Sequence, residues 1–162
     1  MKTVLITGAT RNTGFAIARK FAGQGYAVAI TSREATSAQA AADAIAKEFS
    51  VPAKGYAMVY DRVESIRETF RQVKADFGGL DVFVANSANL GIGFGLMNTP
   101  EEEFDAIADV NIKGNFYCCQ CAAELMKESG GGSIVTIGSV QGTGAVPGRP
   151  FRICYHADAP LL

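Results

Sequence analysis

The sequence has no excess of charge of either sign and no long apolar run, and both absences exclude whole classes of protein. It contains 15 Lys and Arg against 16 Asp and Glu, for a net charge of −1, so no basic surface for nucleic acid or an anionic membrane is expected. No apolar run approaches the roughly 20 residues of a spanning helix. The N-terminus leads directly into a strand-like segment rather than a signal peptide. We therefore expect a cytoplasmic protein without nucleic-acid or membrane partners.

Cysteine is also scarce, with four in the chain: Cys118, Cys119, Cys121 and Cys154. Three of them fall within one helical pattern, where Cys118 and Cys121 share a face, so a metal or redox site is one interpretation. The other is that small, soft side chains fill a helix interface. Because no second Cys pair or His pair stands at zinc-ligand spacing, we expect packing, reduced thiols and no metal.

What the sequence does contain is enough apolar material for one core and a regular alternation of patterns. Hydrophobic residues make up 48% of 162 residues, and Gly numbers 18 against 5 Pro, which is compatible with about one domain. Short continuous apolar runs predict strands, and they lie at residues 4–6, 27–30, 56–60, 80–85 and 133–137.

Helical patterns separate these strands. In the fourth of them, Thr99 is expected to be the N-cap, Pro100 the first helical residue and Glu102 the acid of a capping box, and a kink is expected near Asn111. Strands that are apolar on both faces and alternate with helices predict a parallel sheet covered on both sides. The fold class is therefore α/β, with a doubly wound parallel sheet of the Rossmann type.

The first strand leads into a turn that begins with Thr7 and ends with Gly14. Turns of this kind hold phosphates because backbone N–H groups and a helix N-terminus point at the anion. Gly8 would allow the tight turn, and Asn12 tolerates positive φ better than most non-Gly residues. The residues predicted to bind a dinucleotide here are Gly8, Thr10, Arg11, Asn12, Thr13 and Gly14.

The spacing of this turn resembles the T-G-x-x-x-G-x-G fingerprint of the short-chain dehydrogenase/reductase family, including its 3-oxoacyl reductases, with Asn12 in place of the middle glycine. Three further segments, in the expected order, resemble the D-x-L-V-N-N-A-G, D-V-N-L-K-G and G-x-I-V-N-I-S-S motifs of the same family: residues 81–88, 109–114 and 132–139. A coincidental match by another doubly wound binding domain would require all four segments to arise by chance.

The resemblance implies hydride transfer between a nicotinamide cofactor and a small carbonyl or alcohol substrate, in a protein that forms homo-oligomers. It implies an adenine contact by Asp61 and a cofactor contact by Asn86. It also implies a catalytic set of Ser139, Asn111 and Tyr155. The Lys that the family places four residues after the Tyr is Ala159 here, and no Lys follows Lys127.

The charge at the end of the second strand favours NADP(H) over NAD(H). An acid there would bind a ribose 2′-OH, whereas Arg accommodates a 2′-phosphate. This strand ends at Arg33, and Arg11 lies in the glycine turn. Two guanidinium groups suit a dianionic phosphate, although Glu34 follows at once and either Arg could be a solvated surface charge.

Beyond residue 148 the sequence no longer resembles the family. The interpretation is an incomplete NADP-binding Rossmann-type domain over residues 1–148 and an aberrant tail over 149–162, in which neither Arg152 nor His156 replaces the Lys. We expect a truncated or frame-disrupted reductase that is active only in full-length form. The alternative is a non-catalytic NADP-binding module.

Overall fold

The computed structural model describes residues 1–91, 94 and 97–139 of the chain. Over these residues, five strands and five α-helices alternate, and a π-helical segment joins the last two helices. The strands are β1 (Thr3–Ile6), β2 (Ala27–Ser32), β3 (Ala53–Ala57), β4 (Val82–Ala85) and β5 (Ser133–Thr136). The helices are α1 (Asn12–Ala22), α2 (Ala35–Phe49), α3 (Val63–Phe77), α4 (Glu101–Ala108) and α5 (Asn115–Glu128), with the π segment at Asp109–Gly114.

The five strands form one parallel sheet in the order β3-β2-β1-β4-β5. The chain starts at the centre, runs outward to β3 and then crosses to the other half of the sheet at β4. The predicted α/β fold with a doubly wound sheet is therefore confirmed. The point at which the direction reverses lies between β1 and β4, and in open α/β sheets this point is where ligands bind, outside the carboxyl ends of the strands.

Two separate hydrophobic clusters explain why the strands are apolar on both faces. Leu5 and Phe83 point into the cluster that α3 and α5 cover, which also contains Ile66 and Leu125. Their neighbours along the strands point into the opposite cluster, which α1 and α2 cover: Val4, Ile6, Val28, Ile30 and Val84. Alternate residues of one strand thus stabilise both layers.

The outermost strand on one side, β5, differs from the central ones. All four of its residues are exposed, including Ile134 at 39% and Val135 at 44%. Among the described strands it has β4 as its one neighbour, so an apolar strand lies at this edge of the described sheet.

The third strand and the start of the fourth helix differ from their predicted positions, and the fourth strand begins at Val82 rather than at residue 80. The third strand was predicted at residues 56–60 but spans Ala53–Ala57, because the pairing with β2 begins at Ala53 and burial alone continues through Tyr60. The fourth helix begins at Glu101, and Pro100 is its N-cap, with an extended backbone at φ −68° and ψ 156°. Pro100 therefore precedes the helix, and Thr99 is not the N-cap.

Near Asn111, where a kink was predicted, the helix changes to the π segment. Its Asn111 is 5% exposed. Cys118 and Cys121 are buried on the face of α5 that packs on the sheet, and burial raises the pKa of both thiols. This environment fits the packing interpretation. Within the described residues no group of His, Cys, Asp or Glu side chains could hold a metal ion, and Cys154 lies outside them.

Candidate dinucleotide site

The turn between β1 and α1 begins with a glycine in the left-handed region. Gly8 has φ +60°, and a Cβ on it would lie 2.6 Å from the Oγ of Ser87. The left-handed backbone favours glycine at this position, and a Cβ here would force the Ser87 side chain to turn away. The turn is also tied to β2, because the N–H of Ala9 donates to the carbonyl of Thr31 at 3.2 Å.

Asn12, which replaces the family's middle glycine, has φ +49°. This is the conformation that the sequence argument required it to tolerate, so the turn keeps its shape without that glycine. Arg11 precedes it as the N-cap of α1, with an extended backbone. The side chains of Arg11, Asn12 and Thr13 are all exposed, and Thr10 is half-buried.

Gly14 allows the start of α1 to lie close to Asn86 and to the β1–α1 turn. A Cβ on Gly14 would lie 2.6 Å from Nδ2 of Asn86 and 2.8 Å from both Cα of Ala9 and the carbonyl oxygen of Gly8. That Nδ2 atom donates to the carbonyl oxygens of Thr7 at 2.9 Å and Gly8 at 3.3 Å. Asn86 thus holds the turn itself in place, and its direct contact with a cofactor remains a prediction.

Thr7 joins the ends of β1 and β4 through its hydroxyl oxygen, a role that the sequence reasoning missed. This oxygen accepts the N–H groups of Asn86 at 2.9 Å and Ser87 at 3.1 Å, and the hydroxyl donates to the carbonyl of Val84 at 3.4 Å. The residue is fully buried. A polar residue at the end of an otherwise apolar strand was the one sequence signal for this role.

The N-terminus of α1 is suited to an anion. No side chain caps it, and its first turn contains no acidic residue, so the free N–H groups and the positive end of the helix dipole face the turn. Together with Gly8 and the position between β1 and β4, these features fit the pyrophosphate of a dinucleotide. The chain's own residues therefore fit the cofactor that the sequence implied.

Arg33 is exposed, directly after β2. Since Ala9 and Thr31 are hydrogen-bonded, Arg11 and Arg33 follow the carboxyl ends of neighbouring strands. Neither guanidinium forms an ion pair within the described part of the chain. The backbone of Glu34 is held by the Ser32 hydroxyl.

Asp61 lies four residues after the end of β3 and is exposed. Its charge acts on Lys113 of the π segment, whose pKa is raised first by a 2.9 Å hydrogen bond to Asp109 and, to a smaller extent, by Asp61. The structure thus places Asp61 near the π segment, and its contact with adenine stays a prediction.

Asn111 is fixed by the loop that follows β4. Its Nδ2 donates to the carbonyl of Asn89 at 2.9 Å, and its Oδ1 accepts the N–H of Asn89 at 2.7 Å. Its own carbonyl accepts a bond from Asn115 at 3.2 Å. The sequence reasoning found Asn111 but not Asn89, because nothing in the spacing of residues 89 and 111 indicates that they meet.

Ser139 is half-buried and follows the carboxyl end of β5, where the N–H of Ile137 still pairs with the carbonyl of Ala85 at 2.9 Å. Ser139 and Asn111 therefore both lie at the carboxyl side of the β4–β5 half of the sheet. Tyr155, Arg152, His156 and Ala159 lie outside the described residues, so the catalytic set is only partly placed.

Comparisons with known proteins agree with this arrangement. The family model for "short chain dehydrogenase" matches residues 2–157. A 3alpha-hydroxysteroid dehydrogenase of Mediterraneibacter gnavus is 36% identical, over 97% of this chain and 62% of the relative. A probable NADP-dependent mannitol dehydrogenase of Yarrowia lipolytica is 30% identical, over 96% of this chain and 56% of the relative.

Solved structures give the same result. A short-chain type dehydrogenase/reductase from Mycobacterium marinum superposes with a TM-score of 0.90 at 29% identity, over 96% of this chain and 64% of that one. An NADPH-dependent 3-quinuclidinone reductase from Rhodotorula rubra gives 0.88 at 28% identity, over 96% and 60%. The chain spans less than two thirds of the length of these relatives. The chain therefore belongs to the short-chain dehydrogenase family, whose model matches nearly all of it.

Proposed function

We propose that this protein binds NADP(H) in preference to NAD(H), as the cofactor half of an oxidoreductase that acts on a small carbonyl or alcohol compound. The observation that carries the proposal is the uncapped N-terminus of α1 behind Gly8, at the reversal point between β1 and β4. Backbone donors in this position bind a pyrophosphate.

The preference for NADP(H) rests on Arg11 and Arg33. Both are exposed, and neither is neutralised by an ion pair among the described residues. Their guanidinium groups are therefore available for a 2′-phosphate, which a planar fork of N–H donors matches well. Relatives whose names include NADP-dependent and NADPH-dependent activity support this choice.

The bound cofactor would supply or accept the hydride. In the proposed reaction, the Ser139 hydroxyl donates a hydrogen bond to the substrate carbonyl, Tyr155 exchanges the proton, and Asn111 positions the loop at Asn89 beside the site. A free Tyr has a pKa of about 10, so proton exchange at neutral pH is favoured by a nearby cation. Ala159 supplies none.

A second candidate function follows from that replacement. Ala159 stands where the family has Lys, so the second candidate is a non-catalytic module that binds NADP(H). Such a module would need the same β1–α1 turn. The two functions differ in one respect only, which is whether reduction of a carbonyl accompanies binding.

The test is a paired measurement on the chain. NADPH binding is titrated first, and NADPH oxidation is then followed with a panel of ketones and 3-oxoacyl thioesters. The oxidoreductase predicts saturable binding and ketone-dependent oxidation that Ser139→Ala lowers at least about 100-fold, in the range of a lost general-acid or oxyanion contact. The binding module predicts the same affinity with no oxidation. Absence of binding would reject both.

A further inference from the structure

Tyr60 carries a buried hydroxyl that the cofactor turn does not account for. The residue is 8% exposed, and its ring packs against the π segment so closely that a Cβ on Gly114 would lie 2.4 Å from its Cδ1. The hydroxyl makes no hydrogen bond to any described residue. An unsatisfied buried hydroxyl lowers stability, so the polar side chains around it are its candidate partners.

Three polar side chains surround this hydroxyl: Thr7, Ser87 and Cys118. The oxygen of Thr7 already accepts two N–H groups and donates its own proton, so its bonding capacity is filled. The sulfur of Cys118 is only a weak acceptor. By elimination, the oxygen of Ser87 is the acceptor best suited to the Tyr60 hydroxyl.

Ser87 lies between the buried Tyr60 and the dinucleotide turn. Its Oγ is 2.6 Å from the point where a Cβ on Gly8 would stand, the residue is half-buried, and its N–H is bound to Thr7 at 3.1 Å. The backbone bond fixes the residue, whereas the hydroxyl can still turn towards either side.

We propose that Ser87 is a cofactor-binding residue and that Tyr60 positions it: Tyr60 donates to the Ser87 oxygen, and Ser87 donates its own proton to an acceptor oxygen of the bound dinucleotide. The inference rests on the proposed NADP(H) binding. Ser87 has one proton, so the bond accepted from Tyr60 leaves that proton for the ligand. A chain of two hydroxyls then ends on an oxygen of the anionic cofactor.

The inference is tested with Ser87→Ala, Tyr60→Phe and the double variant, by measuring the dissociation constant of NADPH and the thermal midpoint of the ligand-free protein. Each single variant should weaken NADPH binding about 3- to 10-fold, the range of one hydrogen bond. The double variant should lose no more than Ser87→Ala alone, because the Tyr60 hydroxyl acts through Ser87. The ligand-free midpoint of Tyr60→Phe should equal or exceed that of the wild type.

Tyr56→Phe is the matched control. Tyr56 is also buried, at 3% exposure, but its hydroxyl donates to Asp76 at 2.8 Å, on the outer side of α3. This variant should lower the ligand-free midpoint and leave the NADPH affinity unchanged.

Three results would overturn the inference: NADPH affinity in Tyr60→Phe within twofold of the wild type, additive losses in the double variant, or a lower ligand-free midpoint in Tyr60→Phe with unchanged affinity. A wild-type chain that binds neither NADPH nor NADH would instead reject the proposed function itself. The two failures are therefore distinguishable.

Discussion

Gly14 is a residue at which the packing of α1 on the preceding turn leaves no room for a side chain. Its missing Cβ would meet two backbone atoms at 2.8 Å, Cα of Ala9 and the carbonyl oxygen of Gly8. Backbone atoms cannot rotate away as a side chain does. The shape of the turn and the packing of the helix therefore depend on one hydrogen atom in place of a methyl group.

Gly14→Ala is expected to destabilise the protein by about 1–3 kcal/mol through overpacking and to abolish measurable NADPH binding, because the turn must shift. Urea unfolding and an NADPH titration measure the two effects. Gly23→Ala, at the other end of α1, is the control: its Cβ would meet nothing closer than 3.4 Å at φ −64°. Equal effects of the two variants would contradict this account of the turn.

Arg33→Asp is expected to reverse the cofactor preference. A carboxylate after β2 repels a 2′-phosphate and accepts a hydrogen bond from a ribose 2′-OH, so NADPH affinity should fall at least about tenfold while NADH affinity is kept or increases. Arg67→Asp makes the same change of charge on the exposed surface of α3 and controls for net charge. Unchanged NADPH affinity in Arg33→Asp would remove Arg33 from the site.

For single residues, the sequence predicted the properties that depend on residue type and on neighbours in the chain. The positive φ of Asn12 follows from the preferences of that residue type and is confirmed at +49°. Tyr60, Ser87 and Thr7 lie close together although each follows a different strand and they are far apart in sequence. Tyr60 also ends an apolar run, so its pattern is identical to that of an ordinary core residue.

Among the elements, the π segment at Asp109–Gly114 has the clearest connection to the site. Its extra residue per turn points Asn111 at the loop after β4, where its amide satisfies both the N–H and the carbonyl of Asn89. Single-turn π segments inside α-helices occur frequently at functional sites. Here the π segment fixes the loop after β4, one of the two strands between which the strand order reverses.

Asn111→Ala is expected to lower the free energy of unfolding by about 1–3 kcal/mol, because two backbone groups of Asn89 lose their partners in a part-buried site. Asn115→Ala is the control on the next turn: Asn115 makes one 3.2 Å bond, and its Oδ1 has no partner among the described residues, so its removal should cost less. Urea denaturation compares the two. A larger loss in Asn115→Ala would show that the Asn89 loop is held by other contacts.

The edge strand β3 is joined to α3 by a charged group with a pH dependence. Lys54 pairs with Asp76 at 2.7 Å, and Tyr56 donates to the same carboxylate. The hydrogen bond from Lys54, followed by that from Tyr56, lowers the pKa of Asp76. A carboxyl with a lowered pKa in the folded protein stabilises it above its unfolded value of about 3.9, and this contribution is lost as the pH falls.

The difference in unfolding midpoint between wild type and Asp76→Asn should therefore be larger at pH 7 than at pH 3. Urea titrations at the two pH values measure it, and Asp105→Asn on the exposed side of α4 is the matched control. A difference that is constant with pH would show that the carboxylate charge of Asp76 contributes nothing to stability.

The order and type of the elements were predictable, but some of their ends were not. Continuous apolar runs indicated all five strands, and burial on both faces accounts for those of β1, β2 and β4. The third was misplaced because Ala53, Lys54 and Gly55 carry no apolar signal, while Met58 and Tyr60 beyond the strand are buried. Gly55 also has a tertiary cause: its Cβ would lie 2.2 Å from the backbone of Ala38 in α2, a contact that no local pattern indicates.

In the molecule as a whole, the sheet brings the cofactor turn, the two arginines, Asn111 and Ser139 to the carboxyl side of the strands. Topology alone produces this arrangement, since parallel strands end on the same side. No helix of the described residues is long and apolar enough to cross a membrane. The proposed NADP(H) site lies at the carboxyl ends of β1, β2 and β4, which are adjacent in the sheet.

The central claim is that this chain binds a nicotinamide dinucleotide phosphate at the β1–α1 turn, and a fluorescence titration with NADPH and NADH tests it most directly. We predict saturable 1:1 binding of NADPH with a dissociation constant of order micromolar, at least about tenfold lower than that of NADH. Gly14→Ala should bind neither NADPH nor NADH. Binding of neither nucleotide, or equal binding by wild type and Gly14→Ala, would contradict the claim.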